Sequence, residues 1–163
     1  YRRLSYMPEP KKKRFSLTNS LHNLGLLLQS DFENAHIHFI LRSTPSDIYI
    51  EGDEKQLSQV FLNLLKNSMQ SLEGKTDGQI EVTLEVTNKL YITLLDNGRG
   101  IPMELQEKIF VPFFTTKTEG TGIGLSLCRQ IIKRHGGNFY LQESRQGKTI
   151  FVIEWPVASF ILK

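Results

Sequence analysis

Cysteine is nearly absent from this chain: Cys128 stands alone among 163 residues, so no internal disulfide is available and packing must hold the fold. The thiol falls within an apolar helical stripe, which reads as a buried core group in a protein kept in a reducing compartment. No apolar run approaches the ~20 residues that a membrane span requires, and no secretory leader opens the chain. This piece is therefore read as soluble and not membrane-embedded, although its parent need not be. The phosphate-loop pattern GxxxxGK(S/T) is missing. The run GTGIGL, Gly120 to Leu125, brings its third glycine one residue too early for the dinucleotide fingerprint, so neither common nucleotide motif applies. Internal repeats are also absent, as are low-complexity tracts beyond the lysines.

The length supports one domain with a sizeable core and not two. The formal charge of +3 is unevenly spread. Arg2, Arg3, Lys11, Lys12, Lys13 and Arg14 face only Glu9 in the first 14 residues, which leaves the remainder at −2. A mildly acidic body argues against nucleic acid as a partner.

Along the chain, Tyr1 to Tyr6 reads as the last turn of a helix stopped by Pro8-Glu9-Pro10, and Lys11 to Arg14 as a solvated connector. Leu17, Leu21, Leu24 and Leu28 recur at helical spacing, predicting a helix over 18–32. Residues 36–41 read as a strand that would place His36 and His38 on one face. Two histidines with no third ligand at a recognisable spacing point to exposed strand residues and not to a metal site. A second short strand covers Ile48 to Ile50.

The most regular segment follows. Asp53 and Gln56 form a capping box, and Leu57, Val60, Phe61, Leu64, Leu65, Ser68, Met69 and Leu72 then keep a helical repeat. The opposite stripe holds Gln59, Asn63, Lys66, Asn67 and Gln70. Asparagine is a poor helix former, and a run of amides is an unusual choice for a solvated face, which marks the stripe as ligand-facing. Ile80 to Val86 and Leu90 to Leu95 alternate as a hairpin, and a short helix is expected over 102–109. Another helix runs from near Gly122 to His135, stopped by Gly136-Gly137. A closing hairpin turns Phe139, Leu141, Phe151, Ile153 and Trp155 inward. The inventory predicts an α+β fold: a two-layer α/β sandwich of one mixed, mostly antiparallel sheet covered by about three helices.

Two glycine clusters bracket a Pro-Phe-Phe segment. Asp96 sits at a strand exit, and Gly98 and Gly100 after it permit positive φ or close approach of backbone to a flat ring or a phosphate. Gly120, Gly122 and Gly124 lead directly into a helix, aiming free amides at one place, where an anion belongs.

In combination, NLLKNS at Asn63 to Ser68, DNGRGI at Asp96 to Ile101, FVPFFTTK at Phe110 to Lys117 and GTGIGL resemble the four ordered boxes of the catalytic domain of sensor histidine kinases. These share a superfamily with the gyrase, Hsp90 and MutL ATPases, and the short loop before GTGIGL is most similar to the nitrogen-regulation and sporulation kinase branch. The resemblance implies a Bergerat-type ATP-binding fold over residues 15–157. Residues 1–14 would be a linker from the end of a dimerisation helix and 158–163 a C-terminal tail. It also implies Asp96 as acceptor for the adenine amine, a base pocket shaped by Gly98, Gly100 and Ile101, and Thr149 in its support. Asn67 is the implied ligand of a magnesium ion bridging the phosphates of ATP, and Asn67 with Lys117 the implied catalytic pair. Phe110, Phe113 and Phe114 would anchor a lid. Asn63, Lys66, Thr115, Thr116, Lys117, Gly120, Thr121, Gly122, Ile123, Gly124 and Leu125 complete the nucleotide contacts.

The implied reaction is transfer of the γ-phosphoryl group to a histidine on a separate dimerisation and phosphotransfer domain, with a response regulator receiver domain as the next partner. The implied location is cytoplasmic, with a parent that an inner-membrane anchor would suit. Two departures stand out. Gln70 occupies a position where many members carry lysine, and none of His22, His36, His38 or His135 is followed by Asp or Glu as an acceptor histidine usually is. The chain reads as the isolated catalytic half. The competing readings are a non-catalytic nucleotide-binding adaptor, an anti-sigma serine kinase and a chaperone-type ATPase. The last is weakened because Asn63 stands where those ATPases place a glutamate base, and an amide cannot take a proton from water.

Overall fold

The computed structural model describes residues 8–112, 114, 124–156 and 160–162, the last three as backbone. The helix end expected at Tyr1 to Tyr6 lies outside these. The described elements are β1 (Lys13–Ser16), α1 (Leu17–Leu27), α2 (Gln29–Asn34), β2 (Ile37–Thr44), β3 (Ile48–Gly52), α3 (Glu54–Ser71), β4 (Gly78–Val86), β5 (Leu90–Asp96), α4 (Met103–Gln106), α5 (Gly124–Arg134), β6 (Asn138–Arg145), β7 (Lys148–Trp155) and β8 (Phe160–Leu162).

A five-stranded sheet in the order β2-β4-β5-β7-β6 carries the fold. Only the β2–β4 pair in it is parallel. Strict alternation explains why it is half-covered: Ile80, Val82 and Leu84 of β4 and Leu90, Ile92 and Leu94 of β5 are all 3% exposed or less, while Glu81, Thr83 and Glu85 face away. Helix α3 lies on the covered face. Its stripe of Leu57, Val60, Phe61, Leu64, Leu65 and Leu72 is at most 2% exposed, and each such side chain contributes about 1.5–3 kcal/mol by leaving water. Asp53 caps this helix through Oδ1, which accepts the Gln56 amide at 3.2 Å.

Four details depart from the sequence reading. The helix expected over 18–32 breaks at Leu28 into α1 and α2. The break buries both Leu28 and Phe32 and stacks the Phe32 ring on Phe39 at 5.0 Å. The helix expected over 102–109 is regular only as α4. His36 precedes β2 with φ 58° instead of sharing a strand face with His38, and both are exposed. Finally, a second, three-stranded sheet in the order β1-β3-β8 accompanies the first. Lys13 and Arg14, expected in a solvated connector, pair with Gly52 and Glu51, and the segment expected as a tail supplies β8. Charge does not oppose this pairing, because edge-strand side chains stay in solvent, and Arg14 lies over the Tyr49 ring at 5.0 Å.

Candidate nucleotide site

Asp96 ends β5, yet it is only 3% exposed. Its Oδ1 accepts the Gly98 amide at 2.9 Å, and the Ser68 hydroxyl of α3 also bonds to the carboxylate. Burial raises the pKa above the usual carboxylate value, against the lowering effect of these two donors. Thr149, paired with Asp96 across β5 and β7, is equally buried. Its hydroxyl shares a 2.8 Å hydrogen bond with Ser144, whose Oγ accepts the Ile101 amide at 2.8 Å. Asp96, Thr149 and Ile101 are therefore one connected unit. Ser68 and Ser144 are members whose contact with this unit the sequence does not show; Ser68 stands in the core stripe of α3 and at the end of the NLLKNS box, and nothing in its spacing points to Asp96.

The glycines between them have a definite steric cause. A Cβ on Gly98 would stand 2.7 Å from the Ser71 carbonyl oxygen, and Gly100, at φ 80°, packs on the Arg145 carbonyl. The close approach is thus to protein backbone. The Arg99 amide donates to the Ser71 carbonyl at 3.2 Å and the Gly147 amide to the Gly98 carbonyl at 2.7 Å. These bonds stitch the loop between the end of α3 and the β6–β7 turn, and they hold Asp96 from both sides.

The expected amide stripe of α3 divides. Asn63 and Asn67 are half-buried, and the Asn63 side chain hydrogen-bonds the Cys128 thiol of α5. That thiol is fully buried, with its pKa pushed up to about 12 by burial, as a core cysteine should be. Lys66 and Gln70 instead line a separate cavity of about 620 Å³ with Asn34, Ala35 and His36. Gln59 is exposed. Among the described residues no group of three or more His, Cys, Asp or Glu side chains is placed to hold a metal.

Beyond α4, Phe110 packs edge-on against Phe139 at 5.3 Å and Phe151 at 6.5 Å. Phe114 and Leu125 are partly buried against the same core, and Gly124 opens α5 with no described residue within 4 Å of where a Cβ would stand. Arg129, which no sequence motif singles out, covers the Phe110 ring at 3.6 Å. Phe113, Thr115, Thr116, Lys117, Gly120, Thr121, Gly122 and Ile123 lie outside the described residues, and with them the expected lid.

Residues 52–159 match the family model described as histidine kinase-, DNA gyrase B-, and HSP90-like ATPase. Sporulation kinase A of Bacillus subtilis is 36% identical over 146 residues, covering 89% of this chain and 24% of that protein. The putative sensor histidine kinase NtrY-like of Rickettsia bellii is 30% identical over 158 residues, covering 96% of this chain and 26% of the relative. The chain thus spans about a quarter of the length of these relatives. The solved catalytic domain of histidine kinase ThkA is similar with a TM-score of 0.80 at 34% identity, covering 90% of this chain and 95% of that one. ThkA in complex with the response regulator protein TrrA is similar with a TM-score of 0.77 at 32% identity, covering 94% of this chain and 44% of that one. Taken with the Asp96–Ser68–Gly98 unit beneath α3, these matches show that the chain belongs to the histidine kinase-, DNA gyrase B- and HSP90-like ATPase family and is the catalytic, ATP-using domain of a histidine kinase.

Proposed function

We propose that this domain binds ATP with magnesium and passes the γ-phosphoryl group to a histidine on the dimerisation and phosphotransfer domain of its parent, from which a receiver domain takes it. The observation that carries this reading is the sealed carboxylate of Asp96. An ionised carboxylate has about four acceptor positions. Among the described residues the Gly98 amide and the Ser68 hydroxyl are the donors on it, which leaves capacity for the exocyclic amine of adenine. A base seated there would be flanked by Gly98, Gly100, Ile101 and Thr149. Asn67, Lys117 and the amides of Gly120 to Gly124 would meet the phosphates.

Magnesium fits the donor set. It keeps most of its waters and is usually held by substrate phosphates with one or two protein oxygens, so one neutral amide oxygen from Asn67 suffices. When bound, the ion neutralises and orients the phosphates. Asn63, which stands where a hydrolytic glutamate would act, is an amide bonded to the Cys128 thiol and offers no base for water at that position. Hydrolysis is therefore slow and transfer waits for an acceptor.

The test compares the chain alone with the chain given its parent's dimerisation domain. Alone, it should bind ATP without labelling itself. With the partner, the wild type should yield an acid-labile phosphohistidine on that domain, and Asn67→Ala should not. Label on His22, His36, His38 or His135, or fast ATP turnover by the isolated chain, would refute the proposal.

A further inference from the structure

Asp96, Thr149 and Ser144 stand in one row across β5, β7 and β6. The register pairs Asp96 with Thr149 and Thr149 with Ser144, so the three side chains share the helix-covered face of the sheet. Thr149, between the other two, is 3% exposed. Its Oγ1 lies 2.8 Å from Ser144 Oγ, which accepts the Ile101 amide at 2.8 Å. The Gln106 side chain of α4 ties the same two segments a second time, since Nε2 donates to the Ile101 carbonyl at 2.9 Å and to the Ser144 carbonyl at 3.1 Å. One amide and two hydroxyls are thus held in a line that ends beside the Asp96 carboxylate.

The protons of that line have a direction. An amide can only donate, so Ser144 Oγ is the acceptor for Ile101, and one hydroxyl proton bridges the Ser144 and Thr149 oxygens. A hydroxyl that accepts from an amide is polarised into a better donor, which sends the Ser144 proton to Thr149. Among the described residues Thr149 has no partner other than Ser144, so its own proton is turned away from Ser144, toward the Asp96 side of the row. The site then offers an acceptor, the carboxylate, next to a donor, the Thr149 hydroxyl. Adenine carries the complement on adjacent atoms: its exocyclic amine donates and its ring N1 accepts. A purely structural Ser144 would only have to satisfy the Ile101 amide, and the direction of the Thr149 hydroxyl would be indifferent.

We propose that Ser144 is a positioning residue for base selection: by accepting the Ile101 amide and donating to Thr149, it fixes the Thr149 hydroxyl as a donor to ring N1 of adenine. It acts through Thr149 and does not touch nucleotide. The proposal rests on the ATP reading above.

The test measures, by calorimetry on the whole chain with magnesium, the affinities of ATP and of 1-deaza-ATP, which keeps the amine but has C–H in place of N1. The wild type should favour ATP about tenfold, the worth of one hydrogen bond in a sealed site. Ser144→Ala should bring that ratio close to one, whatever it costs both ligands through the Ile101 loop. Thr149→Val should do the same, and adding Ser144→Ala to it should lower the ratio no further. Ser144→Thr keeps a hydroxyl in place and should keep the ratio.

A wild-type ratio in Ser144→Ala, even with both affinities or the melting temperature lowered, would overturn the proposal and leave Ser144 as a pin between Ile101 and β6. A wild-type ratio in Thr149→Val or a collapsed one in Ser144→Thr would overturn it as well. A ratio that falls further in the double variant than in Thr149→Val would overturn it in favour of direct contact between Ser144 and the base. Folding is followed through the buried Trp155. If Ser144→Ala does not fold, Ser144→Cys takes its place: a thiol of similar shape donates and accepts only weakly, so the ratio should fall, and a wild-type ratio refutes the idea. A wild type that binds both nucleotides equally would overturn this proposal alone, whereas one that binds neither would overturn the nucleotide reading and this proposal with it.

Discussion

Replacing Asp96 by asparagine separates what the carboxylate does for the ligand from what it costs the fold. The side chain is 3% exposed and accepts the Gly98 amide at 2.9 Å and the Ser68 hydroxyl. Asparagine has the same shape. Its oxygen can keep the Gly98 bond, and Ser68 can turn to accept from Nδ2, so the loop should stay in place. The adenine amine, however, would then meet a donor where it had an acceptor. Opposing a buried donor with another costs about 1.5–3 kcal/mol, which is about 10-fold to 150-fold in dissociation constant.

Stability should move the other way. Burial raises the folded pKa of Asp96 above 3.8, so the folded state holds the proton more tightly than the unfolded chain. Between the two values stability falls as pH rises, and at neutral pH the buried charge is a net cost. Asparagine removes that cost. The ligand-free variant should melt at or above the wild-type temperature, by about 2–4 °C for each kcal/mol relieved in a chain of this size. Calorimetry gives the affinity and scanning fluorimetry of the apo protein gives the melting temperature. Unchanged affinity would remove Asp96 from the base site, and a much lower apo melting temperature would show that the lost binding reflects a damaged loop.

His135 should make the fold acid-sensitive. Burial holds its pKa below 6.5, Nε2 accepts the Asp53 amide at 3.0 Å, and Nδ1 contacts the Ile131 carbonyl at 2.8 Å. The unfolded chain then binds more protons in the window below 6.5, so stability is lost as pH falls from there toward the folded pKa; the Asp53 carboxylate facing the ring eases protonation and Lys12 opposes it. His135→Asn should melt lower at neutral pH but show a flatter decline of melting temperature toward acid, and an unchanged slope would exonerate the ring. Gly98→Ala forces a Cβ to within 2.7 Å of the Ser71 carbonyl oxygen. It should cost about 1–3 kcal/mol in urea unfolding and weaken ATP as well; a neutral effect on both would mean that the loop is not held there.

Periodicity exposed the covered face of α3, the β4–β5 hairpin and the inward residues of β6 and β7, because each depends on neighbours two to four positions away. The position of Asp96 at a strand exit was legible for the same reason. What was hidden depends on partners far along the chain. Arg129 reads as an ordinary solvated helix cation until the turn after α5 brings the Phe139 carbonyl back beneath it. Ser71 has no pattern of its own and matters only because Gly98 and Arg99 return to it. The amide stripe was legible as unusual, but spacing alone could not show that Lys66 and Gln70 turn to a different cavity from Asn63. The three-stranded sheet was obscured by its composition, since Lys13 and Arg14 look like linker residues and pair only by backbone.

Helix α3 carries Asn67 of the proposed phosphate site and Asn63 one turn before it, and the fold immobilises it at each end. At the start, Asp53 caps the helix, gives its amide to His135 at the end of α5, and accepts the Lys11 amide on Oδ2 at 2.9 Å. At the finish, the Ser71 carbonyl takes the Arg99 amide and the Gln70 carbonyl takes the Arg99 guanidinium at 3.1 Å. Along its flanks, Ser58 bonds Ser20 of α1 at 3.3 Å and Asn63 bonds Cys128 of α5. A helix fixed in this way cannot slide or roll to meet a ligand, so Asn63 and Asn67 are already oriented, and binding spends little on ordering them. Amides of residues 57–68 should therefore exchange equally slowly with and without ATP, while the Asp96–Gly100 loop gains protection as the base fills its remaining acceptor capacity. Faster exchange along α3 in the free protein, abolished by nucleotide, would show that the helix is ordered by its ligand and that the contacts at its two ends do not hold it.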